Sequence, residues 1–230
     1  MGAGERRAGG AGQAQLAGQR FRPGGQDDLA PSGGVSRIRA NLAELRALRA
    51  LQRERRPATA AEQAQLARWS GWGAVPEVFD ATRQDLAWAR AELATRLTPE
   101  ELAAAARNTL NAHYTDADLV QAIWAGVQEL GFTDGRVLEP GCGIGNFIGL
   151  APAGAQFTGI ELEPVTAQIA AALYPGTDVR NESFAVTRAP EGSFDLVVGN
   201  VPFGSIRLAD RRHNQGGHRS GGSAISEPCE

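Results

Sequence analysis

A glycine-rich turn near the middle of the chain constrains the fold more than any other stretch. Residues 136–149 read Arg-Val-Leu-Glu-Pro-Gly-Cys-Gly-Ile-Gly-Asn-Phe-Ile-Gly. The apolar pair Val137-Leu138 predicts a strand, and Phe147-Ile148 opens a predicted helix. Glycine permits backbone conformations and close ligand approaches that a Cβ would prevent, and a helix start offers free N–H groups. The pattern predicts either a nucleotide-like cofactor site or a plain tight turn.

The glycine spacing distinguishes two kinds of cofactor. Dinucleotide sites favour G-x-G-x-x-G, with the pyrophosphate at the helix N-terminus. This chain instead has Gly141, Gly143 and Gly145 at alternate positions, and Glu139 lies two residues before the first of them. A carboxylate there repels a pyrophosphate but suits a cationic amino-acid end. The spacing therefore favours S-adenosylmethionine (SAM).

Two further predicted strands end in polar residues. Phe157–Glu161 predicts a strand that ends in an acid, and a carboxylate at that position can accept both ribose hydroxyls. Residues 194–199 predict a buried strand that runs into Asn200-Val-Pro-Phe203. Because ligands of open α/β sheets bind at the carboxyl ends of the strands, we expect chemistry at Asn200.

Together these motifs resemble the class I SAM-dependent methyltransferases. Asn200-Val-Pro-Phe203 is similar to the Asn/Asp-Pro-Pro-Tyr/Phe signature of the N6-adenine (amino) DNA methyltransferases, with Val201 in place of the first proline. The wider match, roughly residues 36–214, resembles the N-terminal part of large bacterial DNA methylase–helicase proteins. The resemblance implies an α/β fold with a Rossmann-like core, SAM as cofactor and DNA as partner.

The resemblance also implies a set of cofactor contacts. Tyr114 and Thr115 would lie over the bound cofactor, and Glu182, or Ser183 beside it, would contact the adenine. Read without the core motifs, Tyr114 would be an ordinary buried ring and Thr115 a helix cap. The predicted SAM-binding residues are Tyr114, Thr115, Glu139, Gly141, Gly143, Gly145, Asn146, Phe147, Glu161 and Glu182.

Methylation of an exocyclic base amine needs acceptors and positioning rather than a covalent nucleophile. The Asn200 side-chain oxygen and the main-chain carbonyl beside Pro202 would hold the amine protons, and Phe203 would stack on the base. The base would be flipped out of the duplex, and transfer would depend on in-line alignment. C5-cytosine methylation is excluded because it needs a cysteine where Phe203 stands. Adenine N6, cytosine N4 and a protein amide remain open as targets.

Composition divides the chain into four parts. Residues 1–34 are rich in Gly, Ala, Gln and Arg and are predicted to be disordered. Residues 35–110 are predicted to form a helical lead-in, and 111–210 the N-terminal part of the methyltransferase core, with about four parallel strands. Residues 211–230 are predicted to be an irregular tail. A complete core of this class has seven strands, so we expect a missing C-terminal methylase or helicase segment, or a non-catalytic fragment.

Several helices are predicted in the lead-in and at the start of the core. An apolar stripe at helical spacing predicts a helix that ends near Arg56-Pro57, and Thr59–Glu62 is a capping box for a second helix through Trp69. Residues 78–96 predict another helix, Thr98 caps the next, and Thr115 with Asp118 would cap one through Glu129. The stripe consists of Ile38, Leu42, Leu45, Leu48 and Leu51.

The role of the lead-in is left open by the sequence. It could form a docking surface, contact DNA, or pack against the core. Trp69 and Trp72 could stack on bases or pack in a small helical core. Residues 1–56 carry 11 Arg and 5 acids, whereas the remainder carries 12 Arg and 21 acids. An electrostatic footprint for DNA would therefore lie in the N-terminal part, unless those arginines form a solvated basic face.

Composition also limits compartment and metal binding. Cys142 and Cys229 form no disulfide framework, and no apolar run of about 20 residues predicts a membrane span. A cytoplasmic protein is expected. His213, His218 and Cys229 lack the spacing of a metal-ligand set, so no metal site is predicted.

Overall fold

The protein has an α/β fold, as the sequence predicts. The structure, a computed structural model, describes residues 19–107 and 115–200. Within these ranges a helical region precedes a four-stranded parallel sheet. The α-helices are α1 (Gly34–Glu54), α2 (Ala60–Leu66), α3 (Ala87–Arg96), α4 (Pro99–Arg107), α5 (Ala117–Glu129), α6 (Asn146–Leu150) and α7 (Pro164–Leu173). The strands are β1 (Asp134–Pro140), β2 (Gly154–Glu161), β3 (Asp178–Asn181) and β4 (Leu196–Val197).

The sheet has the strand order β3-β2-β1-β4, and every pair is parallel. Glu139 of β1 is in register with Gly159 of β2, and Leu138 is in register with Val197 of β4. The carboxyl ends of all four strands therefore meet at one edge. The strand order reverses between β1 and β4, which makes their junction the topological switch point where open α/β sheets bind ligands.

The last strand is shorter than predicted. The sequence predicts a strand over residues 194–199, whereas β4 spans only Leu196–Val197. Backbone pairing extends one residue further on each side, since Asp195 N donates to Arg136 O (2.8 Å) and Val198 N donates to Leu138 O (3.0 Å). These bonds all face β1, and they bring residues 198–200 alongside the end of β1.

In the helical region the predicted apolar stripe is confirmed, but one predicted helix is shorter than expected. The five apolar stripe residues of α1 are all buried, and the capping box Thr59–Glu62 is formed at the start of α2. The helix predicted over residues 78–96 is wrong in its first half, because α3 begins only at Ala87. The Asp80 side chain accepts from Thr82 N (2.8 Å) and Thr82 Oγ1 (2.7 Å). Such local bonds compete with helix formation.

The cap of α5 also differs from its prediction. Asp116, rather than Thr115 with Asp118, is the N-cap residue, and its side chain accepts from Asp118 N (2.9 Å). Short acidic side chains are favoured at this position because they satisfy a free N–H of the first turn. Thr115 is therefore released from capping and contributes its carbonyl to the site described below.

The prediction of disorder over residues 1–34 is wrong for 19–34. Phe21 N donates to Leu173 O (2.9 Å), and the Gln26 side-chain oxygen accepts from Ala117 N (3.1 Å). Leu29 is buried in the core. The segment is held by backbone and amide hydrogen bonds to α7 and α5, which a composition argument does not capture. Residues 1–18 and the predicted tail 211–230 lie outside the described residues.

The lead-in and the core pack together through α7, which contacts α1, α2 and α4. Trp69 and Trp72 are both buried, and their rings meet edge to face with centroids 5.5 Å apart. The two tryptophans therefore pack in the core, which was one of the two predicted alternatives; the other was stacking on bases. Across residues 19–107 and 115–200, no helix is both long and apolar enough to cross a membrane.

Candidate functional site

The glycine turn between β1 and α6 adopts a conformation that glycine alone takes readily. Gly141, Gly143 and Gly145 have φ values of +68°, +55° and +82°, in the region that L side chains avoid. Cys142 N donates to Ile160 O (2.8 Å), which fixes the turn against the end of β2. The following helix α6 has only five residues. Its dipole is correspondingly small, so the side chains around the turn dominate the electrostatics of the site.

Glu139 is a buried carboxylate at the end of β1. It is 3 % exposed, and its Oε2 atom makes no hydrogen bond within the part of the chain that the structure describes. Burial raises the pKa of Glu139 well above its ordinary value, and the nearby charge of Glu161 raises it further. A buried polar atom without a partner costs free energy. A donor or a positive charge placed beside this oxygen would lower that cost.

Glu161 lies at the end of β2 and holds the glycine turn. Its Oε2 accepts from Gly143 N (2.9 Å), and its Oε1 accepts from Glu163 N (2.7 Å). Burial raises the pKa of Glu161, while these backbone donors lower it. Each carboxylate oxygen retains a second lone pair. Glu161 can therefore accept further hydroxyl donors from a ligand while it stays bonded to the turn.

Asn146 connects the turn to the segment before α5. Its Nδ2 donates to Thr115 O (2.9 Å), and its buried Oδ1 makes no hydrogen bond among the described residues. The Thr115 carbonyl is therefore held beside the glycine turn. Phe147 is 2 % exposed and packs in the core, while its carbonyl accepts from Trp124 Nε1 (3.1 Å).

The ends of β3 and β4 complete this edge of the sheet. Glu182 is half-buried after β3, and its Oε1 accepts from Thr187 Oγ1 (3.0 Å). A Cβ added at Gly199 would lie 3.5 Å from Glu139 Cγ. Gly199 therefore lies close to the end of β1. Asn200 is the next residue, and it is half-buried. Glu139 and Asn200 thus lie at the switch point of the sheet.

Three predicted site residues, Tyr114, Pro202 and Phe203, lie outside the described residues. Glu163 and Thr166 were not predicted as site residues, yet both are buried, Glu163 bonded to Glu161 and Thr166 bonded to Glu163. Glu163 caps α7 and is followed by Pro164. Proline at the first helical position is a start signal, and it could have identified Glu163 as a cap. In residues 19–107 and 115–200 no three His, Cys, Asp or Glu side chains cluster as a metal site would require.

Comparison with known proteins finds a partial relative. A stretch of 98 residues is 34% identical to the "Defense against restriction protein B" of Escherichia phage P1. The stretch covers 42% of this chain but only 4% of the phage protein. The chain thus matches a small part of that relative's length. No family model matches the chain, and no solved structure matches it.

Proposed function

We propose that the chain carries the cofactor-binding part of a SAM-dependent methyltransferase acting on an exocyclic amine of a DNA base, adenine N6 first. One observation carries the proposal: two buried carboxylates, Glu139 and Glu161, flank a left-handed glycine turn, and one Glu139 oxygen is unpaired among the described residues. The site lies at the β1/β4 switch point, and the order β3-β2-β1-β4 matches the first four strands of the Rossmann order.

The charge of the site favours a cationic ligand. Burial raises the pKa of both Glu139 and Glu161, so a nearby positive charge would stabilise their ionised forms. A dinucleotide would instead place its negatively charged pyrophosphate at the glycine turn, beside Glu139. SAM supplies a methyl group on a positively charged sulfur, and it also carries an ammonium group. A Cβ at Gly141 would meet no atom of the described residues within 4 Å, so these residues leave open space above the turn.

The described residues suggest a division of roles. Glu139 would bind the ammonium group, and Glu161, held by Gly143 N and Glu163 N, would accept the ribose hydroxyls. Glu182 follows β3 where the resemblance implies an adenine contact. The Asn200 oxygen would accept the protons of the target amine and so direct its lone pair.

Two observations support DNA as the target: the resemblance to DNA methyltransferases and the name of the phage relative. The phage relative is named for defence against restriction, and restriction acts on DNA. We propose that DNA is bound together with a C-terminal methylase or helicase segment of a longer protein, in the cytoplasm. Methylation of cytosine N4 or of a protein glutamine, and a cofactor-binding fragment without catalysis, are the alternatives that the experiments below distinguish.

Calorimetric titration of SAM into the 230-residue chain tests cofactor binding. We expect saturable binding, and we expect Glu161→Ala to weaken it at least about tenfold, because two ribose hydroxyls lose a charged acceptor. Glu129→Ala serves as the control, since it removes an equal charge from an exposed site at the end of α5. Absence of binding to the wild-type chain would contradict the proposed function.

Methyl transfer to DNA tests the role of Asn200. In a longer protein that includes the C-terminal segment, with labelled SAM and unmethylated duplex DNA, we expect Asn200→Ala to lower the rate at least about tenfold, because an acceptor for the amine proton is lost. SAM affinity should change little. Asn200→Asp, which retains an acceptor oxygen, should keep more activity. Mass spectrometry of the nucleosides then separates N6-methyladenine from N4-methylcytosine. A rate unchanged in Asn200→Ala would show that the acceptor lies elsewhere.

A further inference from the structure

A line of buried hydrogen bonds runs from the helical lead-in to the carboxylate of the cofactor site. Trp69 Nε1 donates to Thr166 Oγ1 (3.0 Å), and Thr166 Oγ1 donates to Glu163 Oε2 (2.7 Å). The backbone N–H of Glu163 donates to Glu161 Oε1 (2.7 Å). Glu161 Oε2 accepts in turn from Gly143 N (2.9 Å). The line therefore begins at Trp69, shortly after α2, and ends in the glycine turn.

Every side chain in this line is removed from water. Trp69 is 0 %, Glu163 3 %, Thr166 4 % and Glu161 7 % exposed. At such burial a polar group that loses its partner cannot recover it from solvent. Hydrogen bonds in a low-dielectric interior are also electrostatically stronger than those in water. Loss of one hydrogen bond in this line should therefore alter the position of the next residue in it.

The donors and acceptors fix the direction of the line. An indole N–H can only donate, and a hydroxyl has a single hydrogen. Because Thr166 Oγ1 accepts from Trp69, its hydrogen is left to donate to Glu163. The Glu163 carboxylate is also held by Val165 N (3.1 Å) and Thr166 N (2.7 Å) at the start of α7. Its position fixes the backbone of Glu163, and hence the N–H that points at Glu161.

We infer that Trp69, Thr166 and Glu163 are positioning residues for Glu161. Through these three residues the lead-in helices set the orientation of the Glu161 carboxylate. The lead-in would then be a structural part of the cofactor site rather than a separate module. The ligand's identity rests on the proposed function. The contact between Glu161 and Gly143, however, can be measured without any ligand.

Amide hydrogen exchange at Gly143, followed by NMR on the full chain, tests the inference without ligand. We expect Thr166→Val, which removes the hydroxyl, to lower protection of the Gly143 amide about threefold to tenfold. Thr166→Ser restores the hydroxyl and should restore protection. Unchanged protection in Thr166→Val, or an equal loss in Thr166→Ser, would overturn the inference.

A tryptophan pair provides a second comparison. Trp69→Phe keeps a large ring but removes the donor, and it should lower Gly143 protection as Thr166→Val does. Trp72→Phe is the matched control, because Trp72 packs edge to face on Trp69 and Phe79 and its indole makes no hydrogen bond among the described residues. Equal losses from the two tryptophan changes would mean that packing, and not the line of bonds, controls the turn.

A double-mutant cycle on SAM affinity separates positioning from general destabilisation. Thr166→Val should weaken SAM binding about threefold to tenfold in the wild-type background. In the Glu161→Gln background the same change should cost less than about twofold, because the group it positions is already altered. Equal losses in both backgrounds would overturn the inference. A wild-type chain without SAM affinity would instead overturn the proposed function, and Gly143 exchange would still decide on positioning.

Discussion

Replacing Gly145 with alanine is expected to lower the free energy of unfolding by about 3 kcal/mol and to weaken SAM binding severely. Gly145 has φ +82°, and a left-handed conformation costs an L-residue about 1–2 kcal/mol. The added Cβ would also lie 2.6 Å from Tyr174 Cε2 and 3.0 Å from Ile148 Cδ1. Inserting a carbon into a packed core costs about 1–3 kcal/mol, so both effects act together.

The Tyr174 ring is enclosed and cannot move away from the added Cβ. It is 2 % exposed, and a Cβ at Gly149 would lie 2.7 Å from its hydroxyl oxygen, so the ring is enclosed between two glycines. Relief must then come from a shift of the turn, which would displace the Gly143 N–H from Glu161. The expected loss of affinity for the proposed cofactor follows from that displacement.

Gly141→Ala is the matched control for this substitution. Gly141 also has a positive φ, +68°, but a Cβ there would meet no atom within 4 Å in residues 19–107 and 115–200. We expect only the backbone cost, about 1 kcal/mol. Denaturant melts and SAM titrations on both variants provide the comparison. If the two substitutions cost the same free energy, the close packing of Tyr174 on the turn is not what the protein depends on.

Helices whose limits depend on residues close together in the sequence could be predicted from sequence patterns. The stripe of α1 and the capping box at Thr59 were predicted, since each needs only residues a few positions apart. The helix over 78–96 failed because a single aspartate, Asp80, offered the backbone an alternative bond.

Long-range contacts explain most of what the sequence could not predict. The bond from Trp69 to Thr166 joins residues 97 positions apart, and no periodicity encodes it. Residues 19–34 have little apolar surface, yet Phe21 N and Gln26 find partners on distant helices. The motif predicted Glu139 and Glu161 as site residues, but their burial, and the Glu139 oxygen that has no partner among the described residues, follow from the packing of the sheet edge.

The stability of the protein is expected to fall as pH rises from about 4.5 to 8, and Glu44→Gln should remove much of that fall. Glu44, on α1, is 1 % exposed, and its Oε2 makes no hydrogen bond among the described residues. Burial raises its pKa from 4.5 to about 8, although its own backbone N–H and the charge of Arg68 act in the opposite direction. The folded chain thus keeps a proton that the unfolded chain releases.

The sign of the effect follows from that difference in bound protons. Between the two pKa values the unfolded state binds fewer protons, so the free energy of unfolding decreases with pH. The contribution of Glu44 is fully present below pH 4.5 and is lost by about pH 8, a change on the order of 5 kcal/mol. Glu139, Glu161 and Glu163, whose pKa values burial also raises, act in the same direction, so some slope should remain in the variant.

Urea melts of the wild-type chain and of Glu44→Gln between pH 5 and 8.5 measure this contribution. The variant should be close to the wild type at the acidic end, because a protonated glutamic acid and glutamine are both neutral and similar in shape. It should exceed the wild type in stability at the alkaline end. Glu129→Gln, which removes a charge from an exposed position, controls for net charge and is expected to keep the wild-type slope. If Glu44→Gln also keeps that slope, the Glu44 carboxylate is reached by water or by a charge partner, and the packing around α1 must be looser than its burial indicates.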